Sequence, residues 1–300
     1  MAFVTARDGQ KLYVRVLGRG QPVLLLHGLG MKSAHWLPFV WPLRRQFSFY
    51  MPDFRGAGRS AAATFNQADV FQNHMEDVQD MVAALDLNDL LLVGYSLGAT
   101  TSLHWQNAGG FDRVKAYLHI DQSPCVGNRA DWPYGLFGRQ QEWVFARLNR
   151  LLTLLEDSKA VQLGELPEKS RQELARVLGD VFVKLLGKQS VKAVFVLAAR
   201  FPLLLPALLP VTRAADLRAY LTGYTRLGHD YLPRLAGETT PITVLIGGRS
   251  PLYAEAGQRA VAETVANGKV VMLEKSGHVP LLDQPLAFAC ELRRFLRESS

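Results

Sequence analysis

The sequence predicts an α/β fold: a mostly parallel, twisted sheet covered by helices on both faces, with an inserted helical cap. Three observations lead there. Apolar runs of buried-strand length alternate with stretches of helical periodicity. The alternation stops between residues 122 and 232 and resumes after them. Finally, Leu90-Leu91-Leu92-Val93 runs through Gly94-Tyr95-Ser96-Leu97-Gly98 straight into the helix-like Ala99 to Trp105, so a buried strand hands over to a helix through one tight turn.

Taken in order, Lys11 to Leu17 alternates like a strand, and Pro22 to Leu26 is an apolar run ending at His27-Gly28. Ser33 to Arg45 reads as helical but interrupted at Pro38 and Pro42, where the ring removes an N–H. Phe47 to Met51 is the next strand, and Asp53 to Ser60 the loop after it. Between Gln67 and Leu87, Val70, Met75, Val78, Met81, Val82 and Leu85 recur at helical spacing, predicting an amphipathic helix packed on the sheet. Val114 to Ile120 follows as a strand. The insertion predicts helices over Trp143 to Leu155, Arg171 to Leu186 and Val191 to Ala199, whereas Phe201 to Pro210 is apolar but too proline-rich for one regular helix. Ile242 to Ile246 and Lys269 to Leu273 are the last strands, each followed by a helix, Ala254 to Ala266 and Leu286 to Leu296. The expected organisation is a core at residues 1–121 and 233–300 with a cap at 122–232.

With 48% hydrophobic residues in 300, the chain can bury a large core. Its net charge of +7 comes from scattered Lys and Arg, with no basic run longer than Arg44-Arg45 or Arg293-Arg294. That distribution argues for a solvated cationic surface and against nucleic acid as partner. Cys125 and Cys290 suit neither a metal site nor a disulfide framework. The first residues lack a basic segment followed by an apolar one, so no secretory leader is expected and the cytoplasm is the expected location. Val191 to Val211 carries Lys192, Arg200 and three prolines, which makes a poor spanning helix. The basic charge and the apolar Phe201 to Val211 segment suit at most weak contact with a lipid surface.

Ser96 sits where chemistry would be placed. A Ser on a strand-to-helix turn projects its hydroxyl above the sheet, and the helix start aims unpaired N–H groups at the same spot. A hydroxyl is a poor nucleophile near neutral pH and needs a base, for which imidazole is suited. Together with three further motifs in order, this chain resembles an α/β-hydrolase-fold protein of the serine esterase or lipase type with a helical cap. The motifs are His27-Gly28-Leu29-Gly30, the loop Asp53 to Ser60, the turn Gly94 to Gly98, and Ser276-Gly277-His278 continuing to Pro285. The resemblance implies Ser96 as nucleophile, His278 as general base and the backbone N–H groups of Leu29 and Leu97 as oxyanion donors. It gives His27 a supporting role for the oxyanion loop. Asp53, Arg55, Gly56, Gly58 and Ser60 are expected to organise their loop, and Tyr95 to pack beneath or line the site. His74, His104 and His229 read as surface or helix-capping residues.

The acid departs from the family pattern, in which a G-x-x-D sequence follows the penultimate strand. Here that segment is Gly247-Gly248-Arg249-Ser250, and Ser250 stands where the carboxylate is expected. Asp121, directly after the Val114 to Ile120 strand, is the preferred candidate; Glu255 is the alternative, and Asp121 as a plain strand-end carboxylate stays open. The implied reaction is hydrolysis of carboxylic esters of small to medium apolar acyl groups through an acyl-enzyme, with no metal or organic cofactor. Trp132, Trp143, Phe145, Phe182, Phe195 and Phe201 are the candidate pocket or packing aromatics of the cap. An acyltransferase or cofactor-free perhydrolase would use the same residues, and a non-catalytic ligand-binding member of the fold is the alternative of another class. The sequence leaves oligomeric state and physiological substrate open.

Overall fold

The computed structural model describes residues 2–186 and 189–300. Eight strands form one sheet: β1 Ala2–Thr5, β2 Lys11–Gly18, β3 Gln21–Leu26, β4 Phe47–Pro52, β5 Leu90–Tyr95, β6 Val114–Ile120, β7 Ile242–Gly247 and β8 Gly268–Leu273. Their order is β1-β2-β4-β3-β5-β6-β7-β8. β1 and β2 pair antiparallel, as do β2 and β4; every later pairing is parallel. The apolar runs of β3 and β5 are buried on both sides. Leu24, Leu26, Leu90 and Leu92 face one core layer, while Val23, Leu25, Leu91 and Val93 face the other, as the two-residue period of a strand requires.

Before the insertion the helices are α1 Leu37–Val40, α2 Val70–Ala84 and α3 Leu97–Asn107. The insertion holds α4 Gln141–Glu156, α5 Glu168–Leu186, α6 Ser190–Ala198, α7 Leu204–Leu208, α8 Ala214–Thr225 and α9 Leu232–Leu235. α10 Glu255–Thr264, α11 Pro280–Asp283 and α12 Pro285–Glu298 complete the chain. The stretch read as helical from Ser33 to Arg45 is three short turns, Ser33–Trp36, α1 and Trp41–Leu43, and the prolines sit at the starts of the second and third, where a missing N–H costs nothing. α2 begins at Asp69, whose carboxylate accepts the Phe71 N–H at 2.9 Å, and lays Val70, Phe71, Met75, Val78 and Val82 on the sheet. On the opposite face α12 packs Phe288, Leu292, Phe295 and Leu296 against the sheet.

Between β6 and β7 the described residues add no strand to the sheet. The chain leaves and re-enters the core at one place: Val126 N–H donates to His229 C=O at 3.1 Å, and Tyr231 N–H to Pro124 C=O at 3.0 Å. α4, α5 and α8 pack mainly through leucine, valine and tyrosine side chains. Within α4 the buried Val144, Leu148, Leu151, Leu152 and Leu155 follow helical spacing.

The turn between β5 and α3 is sterically tight. A Cβ on Gly98 would stand 2.2 Å from the Leu26 carbonyl oxygen, and one on Gly94 would stand 2.7 Å from Ser102 Oγ and 2.8 Å from the Gly98 carbonyl oxygen. Two glycines therefore let α3 lie directly on β3 and β5. Three histidines are fully buried near this centre. Burial pushes the imidazoles of His27 and His119 down to about 4 and that of His74 well below its usual value. Each is neutral in the folded protein and takes up a proton on unfolding below pH ~6.5, so folding loses stability as pH falls from there toward about 4. Each contributes up to about 1.4 kcal/mol per pH unit. Urea titrations at fixed ionic strength should show the midpoint falling through this window, and His119→Gln should remove roughly one proton's share of the slope; a midpoint flat from pH 6.5 to 4.5 would contradict this account.

Candidate active site

Ser96 ends the turn with φ 52° and ψ −114°, a conformation rare outside glycine, and its N–H donates to the Ile120 carbonyl at 3.1 Å. That bond fastens the end of β5 to the end of β6. Asp121, one residue past β6, is likewise at positive φ, 47°. Two adjacent parallel strands thus finish in strained residues whose side chains rise at the same edge of the sheet.

His278 lies in the loop after β8. Its Nε2 is 3.0 Å from Ser96 Oγ, and its Nδ1 is 2.5 Å from Asp121 Oδ2. An ionised carboxylate can only accept, so Nδ1 carries the ring proton and Nε2 offers its lone pair to the Ser96 hydroxyl. Asp121 is fully buried and receives two further donors: Gly247 N–H to Oδ1 at 3.1 Å and Ser250 Oγ–H to Oδ2 at 2.7 Å. The serine standing where the family pattern has its acid therefore hydrogen-bonds to the carboxylate supplied by the neighbouring strand. Glu255, the alternative acid, heads α10 on the surface, where its carboxylate takes Arg259 Nε at 2.5 Å, and it does not meet His278.

The loop bearing His278 is held from several directions. Tyr95 Oη donates to the His278 carbonyl at 2.9 Å, Gly277 N–H donates to Asp283 at 2.9 Å, and Arg249 N–H donates to the Ser276 carbonyl at 2.8 Å. Burial, with the Asp121 charge adding to it, pushes the Tyr95 phenol well above its usual range, so it serves as a neutral donor. This contact could not be read from the sequence, because the Tyr beside Ser96 meets a backbone group 183 residues away.

On the other side of Ser96, His27 fixes the loop that carries Leu29. Phe54 N–H donates to His27 Nε2 at 3.1 Å, which leaves Nδ1–H to donate to the Gly28 carbonyl at 2.8 Å. The neutral ring, its pKa held near 4 chiefly by burial, is the form this arrangement needs. Leu97 is the first residue of α3, so its N–H precedes any intrahelical acceptor. The Asp53 carboxylate takes Ser33 N–H at 2.6 Å and Arg59 N–H at 2.8 Å, and Arg55 pairs with Asp77 at 2.6 Å and Asp8 at 2.6 Å. These contacts organise the Asp53 to Ser60 loop without reaching Ser96.

Ser96 and His278 open on a cavity of about 380 Å³ with Leu29 and Tyr95 in its wall. That is near the lower end of the roughly 300–1,000 Å³ typical of small-molecule sites. Its described lining contains no Asp, Glu, Lys or Arg. Of the insertion's aromatics singled out in the sequence, Phe182 alone lies in that lining; Phe195 stacks behind it at 5.0 Å, and Trp143 lies outside under Arg147. Phe137, Tyr220, Tyr224 and Tyr253 are the lining aromatics the sequence did not single out.

A sequence profile described as "Alpha/beta hydrolase family" matches residues 23–292. The chain belongs to that family. It is 26% identical over 287 residues to a pimeloyl-[acyl-carrier protein] methyl ester esterase of Chromobacterium violaceum, covering 95% of this chain and 98% of that one. It is 30% identical over 138 residues to a non-heme haloperoxidase of Rhodococcus erythropolis, covering 45% of this chain and 50% of that one. Among solved structures, an esterase of Exiguobacterium antarcticum superposes with a TM-score of 0.74 at 20% identity, covering 99% of both chains.

Away from the cavity, Asp69, His104 and His229 each bring one potential metal-ligand atom within 4.8 Å of the others. His104 is already engaged through both ring nitrogens, with Tyr231 Oη at 3.2 Å and Gln72 Oε1 at 2.9 Å, and His229 Nε2 stands 3.0 Å from Asp69 Oδ2. The cluster ties the end of the insertion to α2 and α3. Removing the donor that holds the His278 carbonyl should leave a buried acceptor unpaired. Tyr95→Phe is expected to cost about 1–3 kcal/mol in urea denaturation, and an unchanged midpoint would show that the contact does not hold the loop.

Proposed function

We propose that this chain is a carboxylic ester hydrolase that works through an acyl-enzyme on Ser96. The observation that carries the reading is the hydrogen-bonded line from Asp121 through His278 to Ser96 at the floor of an uncharged cavity. The named activity of the Chromobacterium violaceum relative, matched over nearly its whole length, supports the same class.

In this mechanism Ser96 Oγ attacks the ester carbonyl carbon and passes its proton to His278 Nε2. Asp121 holds the ring in the required tautomer and stabilises the imidazolium that forms. Negative charge builds on the former carbonyl oxygen, which the N–H groups of Leu29 and Leu97 receive; such donors are worth a few kcal/mol in the transition state. The alcohol leaves with the proton from His278. Water, deprotonated by the same nitrogen, then releases the acid and restores Ser96. Residues 122–232 act as the cap that roofs the acyl site, and the uncharged wall selects small to medium apolar acyl groups. The chemistry asks for no metal or organic cofactor.

A second outcome of the same acyl-enzyme is transfer to hydrogen peroxide in place of water, which gives a peracid. The partial match to a non-heme haloperoxidase favours keeping it. Product analysis with peroxide competing against water separates the two.

Ser96→Ala should lower kcat on a p-nitrophenyl ester by about 10⁴-fold or more and abolish labelling by a fluorophosphonate. Asp121→Asn should cost about 10⁴-fold with the fold intact. Because Ser250 already contacts the Asp121 carboxylate, the pair Asp121→Ser with Ser250→Asp should regain at least ~10-fold over Asp121→Ser alone. Wild-type turnover unaffected by Ser96→Ala would overturn the reading.

A further inference from the structure

The segment from α6 through α7 is apolar on its inner and outer sides alike. Inward, Phe195 stacks on Phe182, and Ala198, Ala199 and Leu205 are buried, with Arg171 Nε holding the Ala199 carbonyl at 3.0 Å. Outward, Val194, Leu197, Phe201 and Leu204 are each more than half exposed, and Leu203 is 86% exposed. Of the eleven exposed positions between 193 and 208, ten are apolar and Arg200 is the one charge. A helix apolar all round belongs in a core or in lipid, and a contiguous exposed patch of this kind marks an interaction surface. The segment cannot cross a bilayer: α6 has nine residues, prolines stand at 202, 206 and 210, and no helix among the described residues is long and apolar enough.

Two features say what covers the patch. The first is continuity with the cavity. Leu208, 38% exposed, belongs both to the patch and to the cavity wall, as does Ala207; across the opening Leu29 is also exposed and lines the wall, and Gly30 lies against Pro210. Whatever sits on the patch lies over the opening through which an acyl chain would pass. A second copy of the chain or a rigid protein partner would close that opening, whereas a fluid layer of acyl chains would not. The second is charge. Arg200 has no ion pair among the described residues, Lys32 is exposed beside Met31 on the opposite rim, and the whole chain carries +7. Cations bordering an apolar face fit an anionic headgroup layer.

We propose that the outer face of residues 194–208 docks on an anionic lipid surface, lying in its headgroup and upper acyl region with the opening of the cavity turned toward it. The exposed apolar face and its bordering cations stand without the chemistry; the preference for lipid over a protein partner that would close the opening, and the entry of ester substrates from the lipid phase, rest on the esterase reading above.

The test is co-sedimentation of the full chain with vesicles of phosphatidylcholine alone and of phosphatidylcholine with phosphatidylglycerol. Wild type should bind the anionic vesicles. A variant carrying Phe201→Asp, Leu203→Asp and Leu204→Asp should bind at least tenfold less, and Arg200→Glu about fivefold less or more. None of these four residues lines the cavity, so turnover of a short water-soluble ester should stay within about twofold, which also reports that the variants fold. Absence of wild-type binding, equal binding by the triple variant, or a dimer in light scattering that the triple variant dissolves without any vesicle binding would overturn the proposal. Vesicle binding by a protein with no ester turnover would uphold docking and remove the esterase reading alone.

Discussion

The bond between His278 Nδ1 and Asp121 Oδ2 is the constraint on which the rest of the site depends. It joins the loop after the last strand to the end of β6, two places 157 residues apart in the chain, and both side chains are buried. A carboxylate buried to that degree is costly unless donors surround it. Gly247 and Ser250, both from the end of β7, supply two of them, and the ring supplies the third. The parallel pairing of β6 with β7 sets their ends side by side, so sheet topology is what makes the charge tolerable there.

The arrangement around Ser96 is a balance of strain and packing. A positive φ at Ser96 and at Asp121 persists because each lies between a buried strand and a tightly packed neighbour. The glycines at 94 and 98 remove the collisions that would push α3 off the sheet. On one flank neutral His27 clips the loop with Leu29 to the Phe54 loop; on the other, Tyr95 clips the His278 loop. Burial widens the pH range over which both groups stay uncharged, the form in which each clip is made.

Much of this was legible in the sequence because it is local. The apolar runs of β3 and β5, the glycine spacing around Ser96 and the loop bearing His278 are contiguous signals. β1 was not legible: it has four residues with Val4 alone buried, too short to show a period. The donors on Asp121 come from a segment over 120 residues away, and no spacing rule connects them. The helices of the insertion are legible through periodicity but their roles are not. Periodicity says that Phe182 and Phe195 lie on apolar faces, yet it cannot tell a ring that meets the cavity from the ring stacked behind it. The tie between Asp69, His104 and His229 joins three distant segments, and the sequence reads its two histidines only as surface or helix-capping residues.

The insertion begins and ends against itself, where the strands of backbone at Pro124 to Val126 and at His229 to Tyr231 exchange hydrogen bonds. A polypeptide that departs and returns through a single doorway leaves the framework blind to what is threaded between. Such a junction lets the inserted helices differ in length or packing while the hydrogen-bonded Ser96, His278 and Asp121 below keep their places.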